Sequence, residues 1–444
     1  MARLLGLDIG TTSAKAVVFT EHGQVVSEGR APTPWTTTAT GVELAPRDLV
    51  TASCQALNEA VAADANLEPI TAVGITSMGE SGVLVDRAGD PVAPVIAWHD
   101  GRDSAEVDAL RRELGENLFC ATTGKPLRGQ FSLTKHRWLM RHDQERASSA
   151  VRRFNVAEYV ANMLGGEEAC ELSLASRTGW FDIAKQAWWP DGLDFSGASP
   201  TLMPPLVMAG DPVGAIGSEL VDRRLHGAVL TLAGHDHQAA AVGAGATTPG
   251  AELDSCGTAE ALLRTVPPTL SGIEIITLAK NGVTTDWSIQ RGSWSLLAAT
   301  EGGLAMQRTL AMLGVDREGL AALDRQAIEV TPSGIQVNGI GSDALSVSRI
   351  RDDATPGAIW WAVVAAATAQ AHALHRAMAE VAGPPQDLVV TGGWSHSEAV
   401  LAAKKETFGA FRLAEAYEAG ARGAAIYAGR AAKVLEPDET FQSA

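Results

Sequence analysis

The stretch LGLDIGTTSAK, which begins at Leu5, constrains the fold of this 444-residue chain more than any other feature. An apolar strand over Arg3–Ile9 runs into a turn at residues 10–12, and a second apolar strand follows over residues 14–19. A third strand is predicted over residues 24–29, after a further turn. The chain therefore opens as an antiparallel meander and not as a strand–helix–strand unit.

The first turn carries a high density of polar groups directly after an apolar strand. Gly10 lets the backbone approach an anion closely, and successive backbone N–H groups in a tight turn form an anion-binding nest. The hydroxyls of Thr11, Thr12 and Ser13 add donors, and a metal ion held through water suits Asp8. Two interpretations stay open at this point, a phosphate-binding turn and a plain hairpin with solvated hydroxyls.

The charge balance narrows the class of partner. Lys and Arg total 35 against 52 Asp and Glu, which gives a formal net charge of −17. Such a surface repels nucleic acid and anionic membranes, so we expect neither as a partner, and local donors or a metal ion must hold any phosphate. The N-terminus shows no signal pattern and the four cysteines have no CxxC spacing, so we expect a cytoplasmic protein with reduced thiols.

Hydrophobic periodicity predicts a mixed α/β chain. Helices are predicted over residues 46–64, 105–114, 133–141, 157–164 and 359–381, and strands over residues 70–76, 82–86 and 94–98. Residues 188–205 are rich in Pro, Gly and Trp and predict a loop. A strand over Asp387–Thr391 leads into two glycines, and the helix after them is predicted to begin at Ser395 and end at Gly409.

The second half of the chain weakly repeats the opening pattern. Leu253-Asp-Ser-Cys leads into Gly257-Thr258, and a second strand is predicted over residues 260–264. Two sheets that each present a Gly-Thr turn are able to face one cleft. Gly392 and Gly393 open a strand–turn–helix unit whose helix N-terminus suits a nucleotide.

Two further motifs place charged residues directly after predicted strands. The segment WHDGR at Trp98 suits either a clamp for hydroxyl groups or an internal ion pair between Asp100 and Arg102. Asp236 follows a second apolar run and suits a general base. Its two flanking histidines leave a zinc site open as a less favoured interpretation, and a structural turn is the third.

In order along the chain, these motifs resemble the FGGY family of carbohydrate kinases. The resemblance spans nearly the whole chain, from Leu5 to about Gly429. Eight segments carry it: DIGTT at Asp8, WHDGR at Trp98, FSLTKHRWL at Phe131, ELSLASRTGWFD at Glu171, GHDHQAA at Gly234, Gly257-Thr258, TGG at Thr391 and GARGAA at Gly420. One such segment means little, but eight in the same order are specific.

The resemblance implies a fold, a reaction and cofactors. The fold is α/β, a two-domain actin/hexokinase/Hsp70-like ATPase fold (ribonuclease H-like) with the active site in a cleft between the domains. Residues 1–245 are implied to bind sugar and to carry the phosphate turn, and residues 246–444 are implied to bind nucleotide. The implied activity is ATP- and Mg²⁺-dependent phosphorylation of a small-molecule sugar or polyol, with a homodimer left open. A non-catalytic binding protein on the same scaffold is the alternative.

The resemblance also implies roles for individual residues, with Asp236 as the catalytic base. The implied substrate-binding residues are Met78, Gly79, Glu80, Trp98, Asp100, Arg102, Gln130, Asp236 and Gln238. The implied nucleotide- and phosphate-binding residues are Asp8, Gly10, Thr11, Thr12, Ser13, Lys15, Gly257, Thr258, Gly302, Gly392, Gly393, Trp394 and Ser397. The implied metal-binding residues are Asp8 and Asp236.

Departures from the family pattern bear on the acceptor. Glycerol kinases have an Arg-Glu pair where this chain has Gly79-Glu80, xylulokinases have a histidine that it lacks, and Gln130 replaces a tyrosine of glycerol kinases. The pocket is thus predicted to have lost bulk at two points, which favours a ketose such as xylulose, or a related polyol, over glycerol. The carboxylate of Glu80 disfavours a sugar acid, because two negative charges repel each other. Arg102 would reduce that repulsion. Glu80 is alternatively only the partner in an ion pair. Trp394 is expected either to shape the adenine pocket by stacking or to narrow it.

Overall fold

The structure, a computed structural model, describes residues 2–330, 334–342, 344–414 and 416–441. The outer ends of the two predicted domains, residues 1 and 444, lie outside the described residues. In the first part of the chain the strands are β1 (Arg3–Ile9), β2 (Ser13–Thr20), β3 (Val25–Pro32), β4 (Thr36–Thr38), β5 (Gly41–Leu44), β6 (Ala72–Ser77), β7 (Gly82–Val85), β8 (Val95–Ile96), β9 (Arg152–Asn155), β10 (Cys170–Glu171), β11 (Phe181–Asp182), β12 (Ala187–Trp188), β13 (Leu206–Val207), β14 (Pro212–Ala215) and β15 (Val229–His235). The helices there are α1 (Pro46–Ala62), α2 (Ser104–Glu113), α3 (Glu116–Thr123), α4 (Ser132–His142), α5 (Gln144–Ser149), α6 (Val156–Met163), α7 (Leu172–Ser176), α8 (Pro190–Ser196) and α9 (Asp236–Gly243).

The rest of the chain forms the second lobe and one returning helix. Its strands are β16 (Ala251–Cys256), β17 (Glu260–Val266), β18 (Thr284–Trp287), β19 (Trp294–Thr300), β20 (Gln336–Asn338), β21 (Ser346–Ser348), β22 (Asp387–Thr391) and β23 (Arg412–Leu413). Its helices are α10 (Gly272–Lys280), α11 (Gly302–Leu313), α12 (Leu320–Ile328), α13 (Pro356–Ala382), α14 (Glu398–Phe408) and α15 (Ala419–Ala431). Within the described ranges, no helix is both long enough and apolar enough to cross a membrane.

The first sheet is built on the meander that the sequence predicts. Strands β1, β2 and β3 pair in antiparallel order, and β6 pairs parallel to β1 on its other side, with Leu4 opposite Ala72. Strands β15 and β14 complete the sheet order β14-β15-β6-β1-β2-β3. Leu4, Leu5 and Leu7 are fully buried, because β1 lies in the middle of the sheet with both faces covered.

The second sheet repeats this arrangement. Its order is β18-β19-β17-β16-β22-β23, where β16 and β17 form an antiparallel hairpin and β22 pairs parallel to β16. In both sheets a hairpin with a Gly-Thr turn therefore lies beside a parallel strand. The weak sequence repeat at Gly257-Thr258 is confirmed as a repeat of architecture.

Two helices, α9 and α15, pack against each other between the two sheets. Helix α15 contacts β1, β6 and β15, while α9 contributes to an apolar cluster with β16 and β17. Glycine is required at this contact, because a methyl group on Gly423 would collide with the backbone of Ala239, and one on Gly243 with the backbone of Ala419. The last helix of the chain thus belongs spatially with the first sheet.

Three local predictions are wrong. Residues 188–205 are not all loop, because Pro190 begins α8, which Gly197 ends in the left-handed conformation. The helix after the two glycines is capped by Ser397, whose hydroxyl accepts a hydrogen bond from the Val400 N–H, and not by Ser395. The strand predicted over residues 94–98 is limited to β8.

Candidate active site

Two cavities between the sheets meet at Asp236. The Asp8 cavity, of about 680 Å³, is lined by residues that include Asp8, Lys15, Asp236, His237, Ser255, Thr391, Gly392, Gly393, Ser395, His396, Tyr417 and Glu418. The Glu80 cavity, of about 580 Å³, is lined by residues that include Thr11, Met78, Gly79, Glu80, Trp98, Arg128, Gln130, Arg177, Asp236, His237, Ala259 and Glu301. Asp236 and His237 line both, so a carboxylate stands where the two spaces join.

Asp236 is the first residue of α9 and follows β15 directly. Its Oδ1 accepts a hydrogen bond from the His237 N–H at 2.7 Å and lies 3.3 Å from Nε2 of His235. Burial raises the pKa of Asp236 to about 7; Glu80 adds to the rise, while the His237 N–H and the Arg177 cation oppose it. A carboxyl with a pKa near neutrality and 21% of its side chain exposed suits a proton acceptor.

Asp8, at the end of β1, lines the other cavity. Burial raises the pKa of Asp8 to about 7, and the neighbouring Asp236 adds to the rise. The Oδ1 atom of Asp8 is buried, and no described residue gives it a hydrogen bond. Lys15 by itself does not neutralise this negative charge, because it already forms an ion pair: its Nζ lies 2.7 Å from Oε2 of Glu418. The donor set fits a divalent cation, since carboxylate oxygens are preferred Mg²⁺ ligands.

The turn between β1 and β2 is anchored by two tryptophans. Nε1 of Trp35 donates to the Thr11 carbonyl at 2.8 Å, and Nε1 of Trp98 donates to the Thr11 hydroxyl at 2.9 Å. The turn is thereby fixed to the wall of the Glu80 cavity. The Ser13 hydroxyl accepts from Nε of Arg30 on β3 at 3.1 Å, and the predicted contact of this hydroxyl with phosphate stays a prediction. Gly10 and Thr12 lie beside Thr11 in the turn, and Thr12 is exposed.

The second Gly-Thr turn is supported from behind by α11. The Leu304 N–H donates to the Thr258 carbonyl at 2.9 Å, and a methyl group on Gly303 would collide with the Gly257 carbonyl. Ser255 and Ala259, on the two sides of this turn, line the Asp8 and Glu80 cavities respectively. Gly302 packs closely on α13, since an added Cβ would lie 3.1 Å from Cβ of Ala367, and its predicted nucleotide contact stays a prediction.

The predicted clamp at Asp100 and Arg102 is closed on itself. Oδ1 of Asp100 accepts from the backbone N–H and Nε of Arg102, each at 2.9 Å. Oδ2 accepts from the Val42 N–H at 2.5 Å, and Nη1 of Arg102 donates to Glu43 at 2.9 Å. The internal ion pair is the interpretation that the structure bears out, and direct substrate contact by either residue stays a prediction.

Three more predicted contacts serve the scaffold. Gln238 bridges to the second lobe, where its Nε2 donates to the Trp287 carbonyl and its Oε1 accepts from the Ile289 N–H. The Trp394 ring is 9% exposed and packs 5.9 Å from the Trp360 ring, in the core under the two glycines. Ser397 caps α14. Because each of these side chains is engaged with the protein, their binding of substrate or nucleotide stays a prediction.

Among the described residues, the histidine pair beside Asp236 belongs to no group of three potential metal ligands. The ring centroids of His235 and His237 are 5.5 Å apart, and burial lowers the pKa of both. In the described ranges, the one group of three potential metal ligands is Asp254, Cys256 and Glu260. Lys404 donates to both carboxylates of that group, so a lysine already supplies the cation there.

The structure adds site residues that the sequence reasoning missed. Arg177 pairs with Glu80, Nε to Oε1 at 2.7 Å, and fills the space beside Gly79, so the predicted loss of bulk at that position is wrong. Tyr417 and Glu418 line the Asp8 cavity, and Glu418 has a φ of 43°, in the left-handed region. The sequence signal available for Arg177 was its place inside the ELSLASRTGWFD segment; Tyr417 and Glu418 precede the GARGAA segment.

Comparison with known proteins identifies the family. The model for the FGGY family of carbohydrate kinases, N-terminal domain, matches residues 3–243. The chain belongs to this family. It is 31% identical over 442 residues to a xylulose kinase of Streptomyces rubiginosus. The match covers 96% of this chain and 87% of that protein. A glycerol kinase of Leifsonia xyli is 31% identical over 69% of this chain and 61% of its own length. A gluconokinase of Bacillus subtilis is 30% identical over 46% of this chain and 40% of its own length.

Solved structures of the family share the fold. A xylulose kinase from Rhodospirillum rubrum superposes with a TM-score of 0.87 at 23% identity, covering 100% of this chain and 93% of that one. A Plasmodium falciparum glycerol kinase with ADP gives a TM-score of 0.86 at 19% identity, covering 98% and 90%. The two-lobed actin/hexokinase-like ATPase fold is confirmed, and this protein is a sugar kinase of the FGGY family.

Proposed function

We propose that the protein transfers the γ-phosphoryl group of ATP to a hydroxyl of a ketose such as xylulose, or of a related polyol, with Asp236 as general base. The observation that carries this proposal is the position of Asp236 at the junction of the Asp8 and Glu80 cavities. A group that accepts a proton from an acceptor hydroxyl must also face the phosphoryl group that the hydroxyl attacks.

The proposed reaction assigns one cavity to each substrate. The acceptor occupies the Glu80 cavity and the ATP phosphates occupy the Asp8 cavity. Asp236 takes the hydroxyl proton as the oxygen forms its bond to the γ-phosphorus, the bond to the β-phosphate oxygen breaks, and ADP leaves. Backbone N–H groups of the two Gly-Thr turns donate to the phosphoryl oxygens, and closure of the cleft excludes water as a competing acceptor.

Mg²⁺ belongs to this proposal because of the charge in the Asp8 cavity. Asp8 and Asp236 would hold the ion, directly or through water, and the orphaned Oδ1 of Asp8 is the atom that most needs it. Bound there, the ion supplies positive charge for the phosphoryl oxygens. Lys15 is paired with Glu418, so this lysine alone does not meet that need.

The acceptor class is supported by the wall of the Glu80 cavity and by the relatives. Glu80 and Gln130 offer hydroxyl acceptors and donors, and a relative matched over 96% of the chain is a xylulose kinase. A sugar acid is the second candidate: Arg128 lines the same cavity, and within the described ranges only its Nε has a hydrogen-bond partner, Gln130 at 2.7 Å. A free guanidinium edge suits a carboxylate.

An acceptor panel tests the proposal. The pure protein is incubated with Mg-ATP and neutral ketoses, aldoses, polyols and aldonates, and release of ADP is followed. We expect turnover to be highest with a ketose or polyol, and highest with an aldonate if the second candidate is correct. Failure of every acceptor to raise ADP release above the rate with ATP alone would remove the kinase proposal.

Asp236→Asn tests the base within the same assay. The amide keeps the size of the side chain but cannot accept the proton, so we expect kcat to fall by about 10²–10⁴-fold. Nucleotide binding, measured by calorimetry, and the thermal midpoint should change little. An unchanged kcat would assign the base to another residue.

A further inference from the structure

Gly79 leaves a space that the side chain of a distant residue occupies. A Cβ atom at position 79 would lie 3.0 Å from Cδ and 3.1 Å from Nε of Arg177. It would also lie 3.0 Å from Cδ2 of His235, the neighbour of Asp236. These distances are tighter than ordinary carbon contacts, so a side chain at 79 would require Arg177 or His235 to shift by a few tenths of an ångström.

The guanidinium of Arg177 is buried and fully engaged. Its Nε and Nη2 both donate to Oε1 of Glu80, the first at 2.7 Å. Its Nη1 donates to Oδ2 of Asp286 at 2.9 Å and to the Thr284 hydroxyl at 3.2 Å. Only 3% of the side chain is exposed. One arginine therefore ties the wall of the Glu80 cavity to β18 of the second lobe.

Glu80 is held in a strained conformation that leaves one oxygen for a ligand. Its φ of 64° lies in the left-handed region, which a non-glycine residue adopts at a cost that functional sites often carry. The Glu80 carbonyl accepts from the Ser132 hydroxyl, and Oε1 accepts from Arg177 and, at 3.1 Å, from Gln130. In the part of the chain that the structure describes, the hydrogen bonds to the Glu80 carboxylate all go to Oε1 and none to Oε2, and Glu80 lines the cavity.

We propose that Arg177 is a positioning residue for the acceptor: in the space left by Gly79, it fixes Glu80 so that Oε2 accepts hydrogen bonds from hydroxyls of a neutral sugar or polyol. The inference rests on the proposed function and narrows its substrate class. Both amino edges of Arg177 are satisfied by Glu80 and Asp286, so Arg177 presents no free edge to a carboxylate. The remaining Glu80 oxygen suits a neutral hydroxyl pair, and a carboxylate in the same cavity would instead need the free edge of Arg128.

Moving the arginine along the chain tests this arrangement. In Arg177→Ala, Glu80 loses two charge-assisted hydrogen bonds, so we expect KM for the best neutral acceptor to rise by about 10–100-fold, which corresponds to roughly 1.4–2.8 kcal/mol. KM for ATP should stay within about twofold, because Arg177 lines only the acceptor side. In the double variant Gly79→Arg/Arg177→Ala, an arginine re-enters the same space, and we expect KM for the acceptor to recover most of the loss.

Matched measurements separate this role from a merely structural one. Acceptor binding without ATP, measured by calorimetry, should follow the same order, and Arg111→Ala on the exposed face of α2 should match the wild type. If Arg177→Ala does not fold, Arg177→Lys keeps the charge with fewer donors and should show an intermediate KM. An unchanged acceptor KM in folded Arg177→Ala, or a double variant no better than the single one, would overturn the inference. If the wild-type protein phosphorylates none of the acceptors in the panel, the proposed function is overturned instead.

Discussion

A single buried carboxylate shows how the residue next to the proposed base is held. Oε2 of Glu171 accepts from the Ser173 N–H and hydroxyl and from the Leu174 N–H. The Ser173 hydroxyl in turn accepts from the His235 N–H at 3.0 Å, directly before Asp236. Burial raises the pKa of Glu171 to about 7, even though the Ser173 and Leu174 donors oppose the rise. The segment that presents Asp236 thus rests on a carboxyl that prefers its proton.

Glu171 predicts a pH-dependent stability at the residue scale. Between about pH 4.5 and 7 the folded state binds more protons at Glu171 than the unfolded state, so its contribution makes stability fall as the pH rises. We expect this cost to be on the order of 1–3 kcal/mol by pH 7.5. In Glu171→Gln the cost is absent, so urea unfolding at pH 5 and 7.5 should show the variant gaining on the wild type at the higher pH. The exposed exchange Glu318→Gln should follow the wild type, and parallel curves for Glu171→Gln would contradict the prediction.

At the scale of elements, a buried lysine fixes the strands that carry the second Gly-Thr turn. Nζ of Lys404, on α14, lies 2.5 Å from Oδ2 of Asp254 on β16 and also pairs with Glu260 on β17. All three side chains are at least 95% buried. The turn at Gly257-Thr258 lies between the two carboxylates in the chain, so one cation holds both ends of the hairpin.

Replacing this lysine should destabilise the second lobe strongly. Lys404→Met keeps the aliphatic stem but leaves two carboxylates buried without their cation, a change that typically costs about 3–5 kcal/mol. We expect the midpoint of urea unfolding to fall accordingly. Lys405→Met, the exposed neighbour on the same helix, should have little effect. If Lys404→Met and Lys405→Met are equally stable, the prediction is contradicted. Protonation of the Asp254 and Glu260 carboxylates would then compensate for the loss of the lysine.

The sequence predicts elements well and long-range partners poorly. β1, β6, α1 and α13 are predictable because apolar periodicity and flanking Pro or Gly are local signals, and Asp236 stands out because it follows such a strand. Arg177 beside Gly79 is not predictable from spacing, since 98 positions separate two residues that only the folded chain brings together. Trp394 shows the converse: it follows two cavity-lining glycines, yet the turn of the backbone sends its ring into the core.

At the scale of the whole molecule, the electrostatic field of the acidic protein repels the anionic nucleotide that the proposed ATP site binds. The net charge of −17 belongs to the entire chain, and the Asp8 cavity adds three carboxylates, Asp8, Asp236 and Glu418, to its walls. The lysine in that wall, Lys15, is ion-paired. Attraction of a polyanion must therefore come at short range, from backbone N–H groups and a divalent cation, while the long-range field repels it.

Ionic strength should therefore separate the two substrates. The Debye length falls from about 30 Å at 0.01 M salt to about 8 Å at 0.15 M, which screens the repulsion between the acidic protein and Mg-ATP. We expect KM for Mg-ATP to fall by about twofold over this range, because association of the anion becomes easier. KM for a neutral acceptor should not change, since it carries no charge for the field to act on. A KM for Mg-ATP that rises with salt would show that local positive charge at the turns outweighs the field of the whole molecule.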